Sequence, residues 1–548
     1  MEDIRVVVAI DFGTTNSGFA FAHKERPKER ETYNSWPDDS GKFKTPTALQ
    51  YDSKYKNVIA WGVNALVEFQ DAVDDDESNQ LSRPVELFKL HLLDLEEDKP
   101  WLPPGLNYEQ AIKDYLTEMR KLVEEKLSSR WCNVKFPSQV KIILTIPAEW
   151  PPHTTRIMRE CAYKAGLLDK LSSNNLEFTT EPEAAALHCL SVVKEHDLKP
   201  EDCGGGTVDI TIRKLLENNE LGEITERVGY PCGSTFVDKE FLRFIGEKVG
   251  INALSDLKKN HYKQIQNLVQ EFFCRRIKFG FKGRQSEWRP IRLDLLHFCP
   301  SLENYVIGDR KTEMEKDGWI IKMDFTPVKE MFDPAVNKIL ELISDQLKAS
   351  KEKCSAIFLV GGFAESTYLL DKVKENFRFQ VDKICVPTLP ITAVVRGGLS
   401  YGLNINTVKT RVLKWTFGIE VARKWVPGKD EVKRKSPGGL IYTFESLVKR
   451  GSEVEVDKPI SKVYYPFQAN QKAVTFKIFY TPEEGGKFCD DQGMKYINTL
   501  RIDIPDIKHG LDRPIKFSLT FGKLECKASA YNEKTKKKYN DIDFYVEE

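Results

Sequence analysis

Apolar runs alternate with amphipathic segments through the first two-thirds of the chain. Residues 6–10, 141–146 and 356–360 form short apolar runs with many β-branched side chains, which is typical of strands that are covered on both faces. Residues 108–127 repeat apolar positions at the i, i+3, i+4, i+7 spacing of one helix face. A second helix is predicted over residues 183–195. This alternation predicts an α/β architecture.

The pattern changes after about residue 407. Short alternating strands are predicted there, and turn-rich stretches without a long helical period separate them. These strands cover residues 454–456, 473–480, 502–504, 515–521 and 524–531. The sequence therefore predicts two domains: an α/β domain over residues 1–406 and an all-β sandwich over residues 407–548.

Composition and charge exclude several classes of protein. The 41% hydrophobic and 30% charged residues are ordinary for a soluble chain. The 82 Lys and Arg residues balance 82 Asp and Glu residues, so no basic field attracts nucleic acid or anionic lipid. No apolar run reaches 18 residues, and the first residues are acidic, so neither membrane insertion nor a secretory signal is predicted. The 11 cysteines never form a C-x-x-C pair, which favours a reduced, cytoplasmic location.

Three glycine-rich turns carry the candidate chemistry. They cover residues 11–18, 202–209 and 360–366. Glycine lets backbone N–H groups approach a phosphate, threonine hydroxyls add donors, and an aspartate at a strand end suits hydrated Mg²⁺. Each turn alone is weak evidence, because an ordinary tight turn explains it better. None of them has the spacing of a Walker-type or Rossmann phosphate site.

Taken in this order and spacing, the turns resemble the phosphate 1, phosphate 2 and adenosine motifs of the actin-fold ATPases. Residues 146–150, 180–186 and 394–399 resemble the connecting-helix segments of the seventy-kilodalton heat-shock chaperones, and residues 524–536 resemble the end of their peptide-binding sandwich. The resemblance covers nearly the whole chain and is closest to the divergent heat shock 70 kDa protein 12A/12B-like branch. It implies an actin-like ATPase fold with two lobes, each containing a mixed sheet and helices, followed by the β-sandwich.

The resemblance also implies a site for ATP or ADP with Mg²⁺. It assigns Asp11 and Asp202 to Mg²⁺, mostly through water, with Asp202 also placing the attacking water. Lys89 would contact the γ-phosphate and Glu181 would support the water around Mg²⁺, although a solvated lysine and a helix-start acid would give the same pattern. The residues expected to bind phosphate or ribose are Gly13, Thr14, Thr15, Asn16, Gly204, Gly205, Gly206, Thr207, Gly361, Gly362 and Phe363. The resemblance also assigns Thr207 to the catalytic residues, together with Lys89, Glu181 and Asp202.

The adenine contact is assigned to Arg275 or Lys278. The E-x-x-K-R spacing of the family is not reproduced around them, so a plain amphipathic helix explains these residues equally well. The stretch 405–417, where the family has an acidic, leucine-rich linker, is basic here, and no helical lid is expected after the sandwich. These differences predict slow ATP hydrolysis that is loosely coupled to the binding of unfolded or extended protein segments. The alternatives are a nucleotide-binding pseudo-ATPase scaffold and a sugar-type kinase of the same fold. The sequence identifies no co-chaperone.

One gap separates the sequence from the family pattern. The family places an apolar strand directly before the second glycine-rich turn, whereas residues 196–201 are polar and include Pro200. Proline removes a ladder N–H and is excluded from central strands. The gap predicts a destabilised second lobe, weak nucleotide binding, and little or no hydrolysis.

Overall fold

The computed structural model describes most of the chain, in twelve stretches. These are residues 3–37, 39–67, 82–93, 99–148, 150, 152–196, 208–216, 220–230, 232–350, 352–404, 407–522 and 526–544. The fold is mixed α/β and contains several separate sheets. Two compact units are present: Met1–Glu149 with Cys161–Ile212 and Val228–Asn404, and Trp150–Glu160 with Arg213–Arg227 and Ile405–Glu548. The second unit therefore includes two segments from the N-terminal half of the chain.

The main sheet of the first unit is built around the first predicted strand. Val6–Asp11 is fully buried, and it pairs in parallel with Val140–Ile146 and antiparallel with Asn16–His23. Val140–Ile146 pairs in parallel with Leu176–Thr180. The two strands predicted at residues 6–10 and 141–146 are confirmed. Burial on both faces explains why they consist of continuous apolar residues.

Helices cover this sheet. The predicted amphipathic helix is confirmed as Tyr108–Arg130, and Asn107 caps its start by accepting a hydrogen bond from the backbone N–H of Gln110 at 2.8 Å. Glu181–His196 and Ala393–Leu403 pack against each other very closely. A Cβ at Gly397 would lie 1.6 Å from the carbonyl oxygen of Ala184, so only glycine fits at this crossing.

A second large apolar core in this unit is surrounded by helices. Phe241, Phe272 and Phe332 are fully buried in it, and they come from Ser234–Val249, the π-helical Leu268–Lys278 and Phe325–Ala349. Three two-stranded sheets border the core: Val208–Ile210 with Val228–Tyr230, Ile291–Asp294 with Ile320–Met323, and Ala356–Phe358 with Lys383–Cys385. Within the described residues, none of these pairs joins a larger sheet.

Shorter elements complete the first unit. Its other strands are Glu31–Thr32, Ser35–Trp36, Asp39–Ser40, Thr45–Pro46, Ala48–Tyr51, Val58–Trp61 and Val85–Glu86. Its other helices are Asn64–Val67, Ile251–Asn260, Tyr262–Asn267, Leu295–Phe298, Asp309–Lys316 and Thr367–Phe377, with 3₁₀ turns at Phe88–Leu92, Pro300–Asn304, Gly362–Glu365 and Pro390–Thr392. The helix Pro152–Lys164 runs through the boundary between the two units. None of the helices in the described part of the chain is long and apolar enough to cross a membrane.

The second unit consists mainly of antiparallel strands, as its alternating pattern predicts. Leu440–Val448, Thr416–Lys424, Ala473–Thr481 and Lys495–Asp503 form one four-stranded sheet. Pro459–Tyr464, Ile515–Phe521, Cys526–Asn532 and Lys538–Phe544 form another. Side chains from both sheets, including Phe417, Phe476 and Phe517, contribute to one buried cluster. The described helical parts of the second unit are residues 152–160 of the helix Pro152–Lys164 and the 3₁₀ segments Val432–Arg434 and Ile507–His509.

A third sheet in this unit joins distant parts of the sequence. Its order is Arg213–Leu215, Leu221–Glu223, Val408–Val412 and Glu453–Glu455. Leu221–Glu223 and Val408–Val412 pair in parallel. Glu223 is completely buried and pairs with Arg213 at 3.1 Å, and it accepts a hydrogen bond from the backbone N–H of Val412 at 2.8 Å. The predicted domain boundary at residue 406 stays a prediction. In the structure, Trp150–Glu160 and Arg213–Arg227 also belong to the second unit.

Candidate functional site

The carboxyl ends of the parallel strands in the main sheet bring the first candidate residues together. Asp11 ends its strand directly opposite Thr145, and Glu181 follows the last residue of Leu176–Thr180. Ligands in α/β proteins bind in the crevice outside the carboxyl ends of such strands. Two residues predicted from separate motifs thus lie at the same edge of one sheet.

Lys89 and Glu181 form a buried ion pair at this edge. Lys89 Nζ lies 2.8 Å from Glu181 Oε1, and the lysine side chain is 2% exposed. Lys89 is held on the 3₁₀ turn Phe88–Leu92, which follows Leu87 in the left-handed region at φ 58°. Its ammonium group also lies 5.6 Å from the centre of the Phe12 ring. A solvated lysine, the alternative explanation of the sequence, is therefore excluded for Lys89.

The first glycine-rich turn is held in place by Thr47. The Thr47 hydroxyl donates to the Gly13 carbonyl at 2.8 Å, and the Thr47 backbone N–H donates to the Thr15 carbonyl at 2.8 Å. A Cβ at Gly13 would lie 2.2 Å from the carbonyl oxygen of Asn16, so the turn requires glycine there. Thr14 is buried, Thr15 is half-buried and Asn16 is exposed. The turn thus presents backbone and hydroxyl groups at the end of the first strand, and their exposure to solvent increases from Thr14 to Asn16.

The two Asp11 carboxylate oxygens each lie close to a group of the chain itself, although Oδ2 has no partner with hydrogen-bond geometry among the described residues. Lys44 Nζ lies 2.6 Å from Oδ2, and the Thr145 hydroxyl donates to Oδ1 at 3.1 Å. Mg²⁺ needs carboxylate oxygens and space for its water molecules, and the Lys44 ammonium takes that place. The part of the chain that the structure describes contains no group of three His, Cys, Asp or Glu side chains suited to a metal ion. With the Lys44 ammonium at this position the Asp11 carboxylate does not fit Mg²⁺, and the assignment of Asp11 and Asp202 to the ion stays a prediction.

The third glycine-rich turn follows Ala356–Phe358 and turns sharply. Gly361 has φ 83°, and its backbone N–H donates to the Pro390 carbonyl at 2.9 Å. A Cβ at Gly362 would meet no heavy atom within 4 Å, so this glycine has open space beside it. Phe363 is buried in the apolar core. Burial raises the pKa of Glu365 in the same turn, and the nearby charge of Lys42 opposes this shift.

The two cations predicted for the adenine contact already have carboxylate partners. Lys278 is buried, and its Nζ lies 2.7 Å and 2.9 Å from the two carboxylate oxygens of Asp238. Arg275 is largely exposed and pairs with Glu271 at 2.6 Å, one helical turn earlier. The Arg275 pair joins positions i and i+4 of one helix, as is common on an amphipathic helix, whereas the Lys278 pair joins Leu268–Lys278 to the helix Ser234–Val249. The adenine contact stays a prediction for these residues.

The second glycine-rich turn lies mostly outside the described residues. Asp202, Gly204, Gly205, Gly206 and Thr207 belong to this part of the chain, as does the predicted gap at residues 197–201.

The residue that ends this turn is described and contacts the main sheet. Asp209 is buried and accepts a hydrogen bond from the backbone N–H of Ala148 at 3.0 Å. Ala148 follows Val140–Ile146 by two residues. The structure thus brings the end of the second turn to the edge of the sheet that carries Asp11.

Two residues at this edge are absent from the sequence prediction. Asp209 has a recognisable pattern, because it closes the glycine-rich turn at residues 202–209. Lys44 has none, since it lies 33 positions from Asp11 in a polar stretch without periodicity. Only the folded chain brings Lys44 to that carboxylate.

Comparison with known proteins places the chain beside one class of molecular chaperone. No family model matches the chain. Chaperone protein HscA of Buchnera aphidicola is 22% identical, over 93% of this chain and 74% of that protein. Chaperone protein DnaK of Mycoplasmopsis agalactiae is 23% identical, over 86% of this chain and 68% of that protein.

The similarity is stronger to a particular branch. Human Heat shock 70 kDa protein 12A is 24% identical, over 98% of this chain and 91% of that protein. Human Heat shock 70 kDa protein 12B is 23% identical over the same shares. The resemblance to the heat-shock 70 proteins, and to their 12A/12B-like branch, is therefore confirmed.

Proposed function

We propose that this protein is a chaperone-like ATP- and ADP-binding protein that hydrolyses ATP slowly. Residues 1–406 would form a two-lobed actin-like nucleotide-binding domain, and residues 407–548 a β-sandwich that binds unfolded or extended protein segments. The relatives named as chaperones, HscA and DnaK, support this class over most of their length. The observation that carries the proposal is the buried Lys89–Glu181 pair beside Asp11, at the carboxyl edge of one parallel sheet.

Nucleotide binding would use the first and third glycine-rich turns. Backbone N–H groups between Gly13 and Asn16 and the Thr14 and Thr15 hydroxyls are suited to phosphate oxygens. The open space beside Gly362 leaves room for the ribose and α-phosphate to approach the backbone. This division of roles is the one that the sequence resemblance implies.

The chemical step would be an in-line attack of water on the γ-phosphorus of ATP. A bond forms from the water oxygen to phosphorus, the bond from phosphorus to the β–γ bridging oxygen breaks, and ADP leaves with that electron pair. Lys89 would stabilise the negative charge on the γ-phosphate oxygens, since a positive charge in a buried site acts strongly. Glu181 holds the Lys89 ammonium in position before the phosphate arrives.

Segment binding is supported by exposed aromatic side chains on the second unit. Tyr442, Tyr465, Phe467 and Tyr496 are each more than one-third exposed. Isolated exposed aromatics are ordinary, but several on one antiparallel unit are suited to contact an extended apolar chain. The coupling between nucleotide and segment binding is part of the same proposal.

A non-hydrolysing scaffold is the second candidate. The observation that favours it is the Lys44–Asp11 pair, which occupies a carboxylate that the family resemblance assigns to Mg²⁺. Such a protein would bind nucleotide as a structural switch without turning it over.

Nucleotide titration followed by single-turnover hydrolysis on the same sample tests the proposal. Binding of ATP and ADP with slow turnover is expected, and Lys89→Met should abolish turnover while binding persists. Lys121→Met is the matched control, because Lys121 is exposed and its ion pair among the described residues is with Glu118 in its own helix. Binding without any turnover would establish the scaffold instead. If neither nucleotide binds at high protein concentration, both candidates are wrong.

A further inference from the structure

Lys44 is placed over the first glycine-rich turn by strand pairing. Thr45–Pro46 pairs antiparallel with Asn16 and Ser17, which fixes the backbone next to Lys44. The Thr45 hydroxyl accepts a hydrogen bond from the backbone N–H of Val63 at 3.2 Å, so this short strand is also held from its other side. The position of Lys44 is therefore built into the sheet.

Gly18 makes room for the Lys44 side chain. A Cβ at Gly18 would lie 2.8 Å from the Phe43 carbonyl oxygen and 3.1 Å from Lys44 Cγ. Contacts this short do not occur without displacement of the neighbouring atoms, so a larger residue at position 18 would push Lys44 away. The glycine that ends the first turn thus allows the lysine stem to pack across it.

The Lys44–Asp11 pair is shielded from solvent. The lysine side chain is 13% exposed and the aspartate side chain 3%, at a distance of 2.6 Å. Charges this close interact strongly when water is largely excluded, and removing one partner leaves the other buried and unpaired. A divalent cation at Asp11 would meet the positive charge of Lys44 at short range. The cation and the ammonium group therefore compete for one carboxylate.

We propose that Lys44 replaces the divalent cation in nucleotide binding by this protein. Its ammonium group is anchored on Asp11 and supplies the positive charge that phosphate oxygens at the first glycine-rich turn require. This inference rests on the proposed nucleotide-binding function and goes beyond it, because it makes binding independent of Mg²⁺. It also explains slow hydrolysis, since one fixed ammonium group neutralises less charge than a divalent ion that bridges two phosphates.

The experiment measures binding of ADP and ATP to the full chain by isothermal titration, with Mg²⁺ and with EDTA. For each nucleotide, the dissociation constants of the unmodified protein with Mg²⁺ and with EDTA should agree within about threefold. Lys44→Gln keeps a polar end group, removes the charge and shortens the side chain by one atom, so the affinity of this variant in EDTA should fall by about tenfold or more, and Mg²⁺ should restore part of it. Lys44→Arg should retain metal-independent binding. Lys54→Gln, an exposed lysine in the same unit, is the control and should match the unmodified protein.

The outcomes separate this inference from the function on which it rests. If the unmodified protein binds nucleotide only when Mg²⁺ is present, the role of Lys44 is wrong while nucleotide binding stands. If no condition gives binding, the proposed function fails and this inference fails with it. Melting curves show whether Lys44→Gln folds. The comparison of metal and EDTA on the unmodified protein needs no variant, so misfolding of Lys44→Gln leaves that test decisive.

Discussion

The Tyr262 hydroxyl donates a hydrogen bond of 2.7 Å to the Glu86 carboxylate, which lies 176 residues earlier in the chain. Gln266 donates to the same carboxylate at 2.7 Å, and the Arg83 guanidinium lies 3.9 Å from the centre of the Tyr262 ring. Burial raises the pKa of Glu86, which the Tyr262 hydrogen bond and the charge of Arg83 oppose. This cluster connects the segment that carries Lys89 to the helix Tyr262–Asn267.

Tyr262→Phe should accelerate nucleotide release. The substitution removes one hydrogen bond to a carboxylate, worth about 1.5–3 kcal/mol, and keeps the ring against Arg83. This hydrogen bond joins the segment that carries Lys89 to the helix Tyr262–Asn267. Its loss should therefore raise the dissociation rate of a fluorescent ADP analogue by about threefold to tenfold in stopped-flow measurements. Tyr305→Phe is the control, because its hydroxyl bonds only the exposed Asn260 in the described contacts. Equal rates for both variants would show that the Glu86 contact does not restrain release.

Gly397→Ala should destabilise the first unit severely, whereas Gly362→Ala should not. A Cβ at Gly397 would overlap the Ala184 carbonyl oxygen, so the two helices must separate at a cost of about 3 kcal/mol or more. A Cβ at Gly362 meets nothing, so that variant should melt close to the unmodified protein but bind nucleotide more weakly. Melting curves and titrations on both variants check this. Unchanged affinity in Gly362→Ala would remove this glycine from the proposed site.

Arg513→Lys should destabilise the second unit. Arg513 is buried, and its guanidinium donates to the carbonyl oxygens of five residues: Gly510, Gln471, Ile504, Gln468 and Ala469. Lysine has three donors and a different geometry, so at least two of these five carbonyls lose the hydrogen bond from the side chain at position 513, at about 2–4 kcal/mol in total. Arg501→Lys is the exposed control and should stay within about 0.5 kcal/mol in urea unfolding. Equal midpoints for the two variants would contradict this role.

His188 should make the protein less stable as the pH falls. Burial, together with the positive charges of Arg396 and Arg30, lowers the pKa of His188 to about 4. The unfolded chain takes up this proton near pH 6.5 and the folded chain only near pH 4, so stability is lost between these values. The contribution reaches about 3 kcal/mol at pH 4. Urea unfolding of His188→Gln should lack this part of the pH dependence, and identical pH profiles would show that His188 does not titrate this way.

Adding a strand before Asp202 should stabilise the first unit. Among the described residues, Val208–Ile210 pairs only with Val228–Tyr230, and a buried apolar strand beside it would cover large side chains worth about 1.5–3 kcal/mol each. Insertion of Thr-Phe-Leu-Val-Val should therefore raise the melting temperature, the nucleotide affinity and the turnover rate. A Gly-Ser insertion of the same length is the control. If the unmodified protein melts no lower and turns over no more slowly, the gap has no effect.

The sequence predicted elements whose burial leaves a pattern. Val6–Asp11 is covered on both faces, and a continuous apolar run predicts it. Tyr108–Arg130 is covered on one face, and periodic apolar residues predict it. Ala356–Phe358 lies within the predicted apolar run at residues 356–360, whereas Val208–Ile210 and Val228–Tyr230 are too short for any period. These short strands form because they pair with other parts of the folded chain, and the periodicity of the sequence does not reveal that pairing.

The candidate site follows the same rule. Lys89 and Glu181 were each assigned from the family resemblance of a local segment. The folded chain brings Lys89 Nζ to 2.8 Å from Glu181 Oε1. Lys44 escaped prediction because its position depends on the pairing of Thr45–Pro46 with the turn and on the space left by Gly18. Neither relationship has a pattern within one segment of the chain.

The parallel pairing of Leu221–Glu223 with Val408–Val412 has a consequence for protein synthesis. The Glu223 carboxylate and the Val412 N–H that it binds are 189 residues apart, so at about 5–20 residues per second the first strand leaves the ribosome roughly 10–40 s before the second. During that interval the edge of the early hairpin stays uncovered and open to other chains. Translation products that end between these two strands can never cover it, which makes them prone to aggregation.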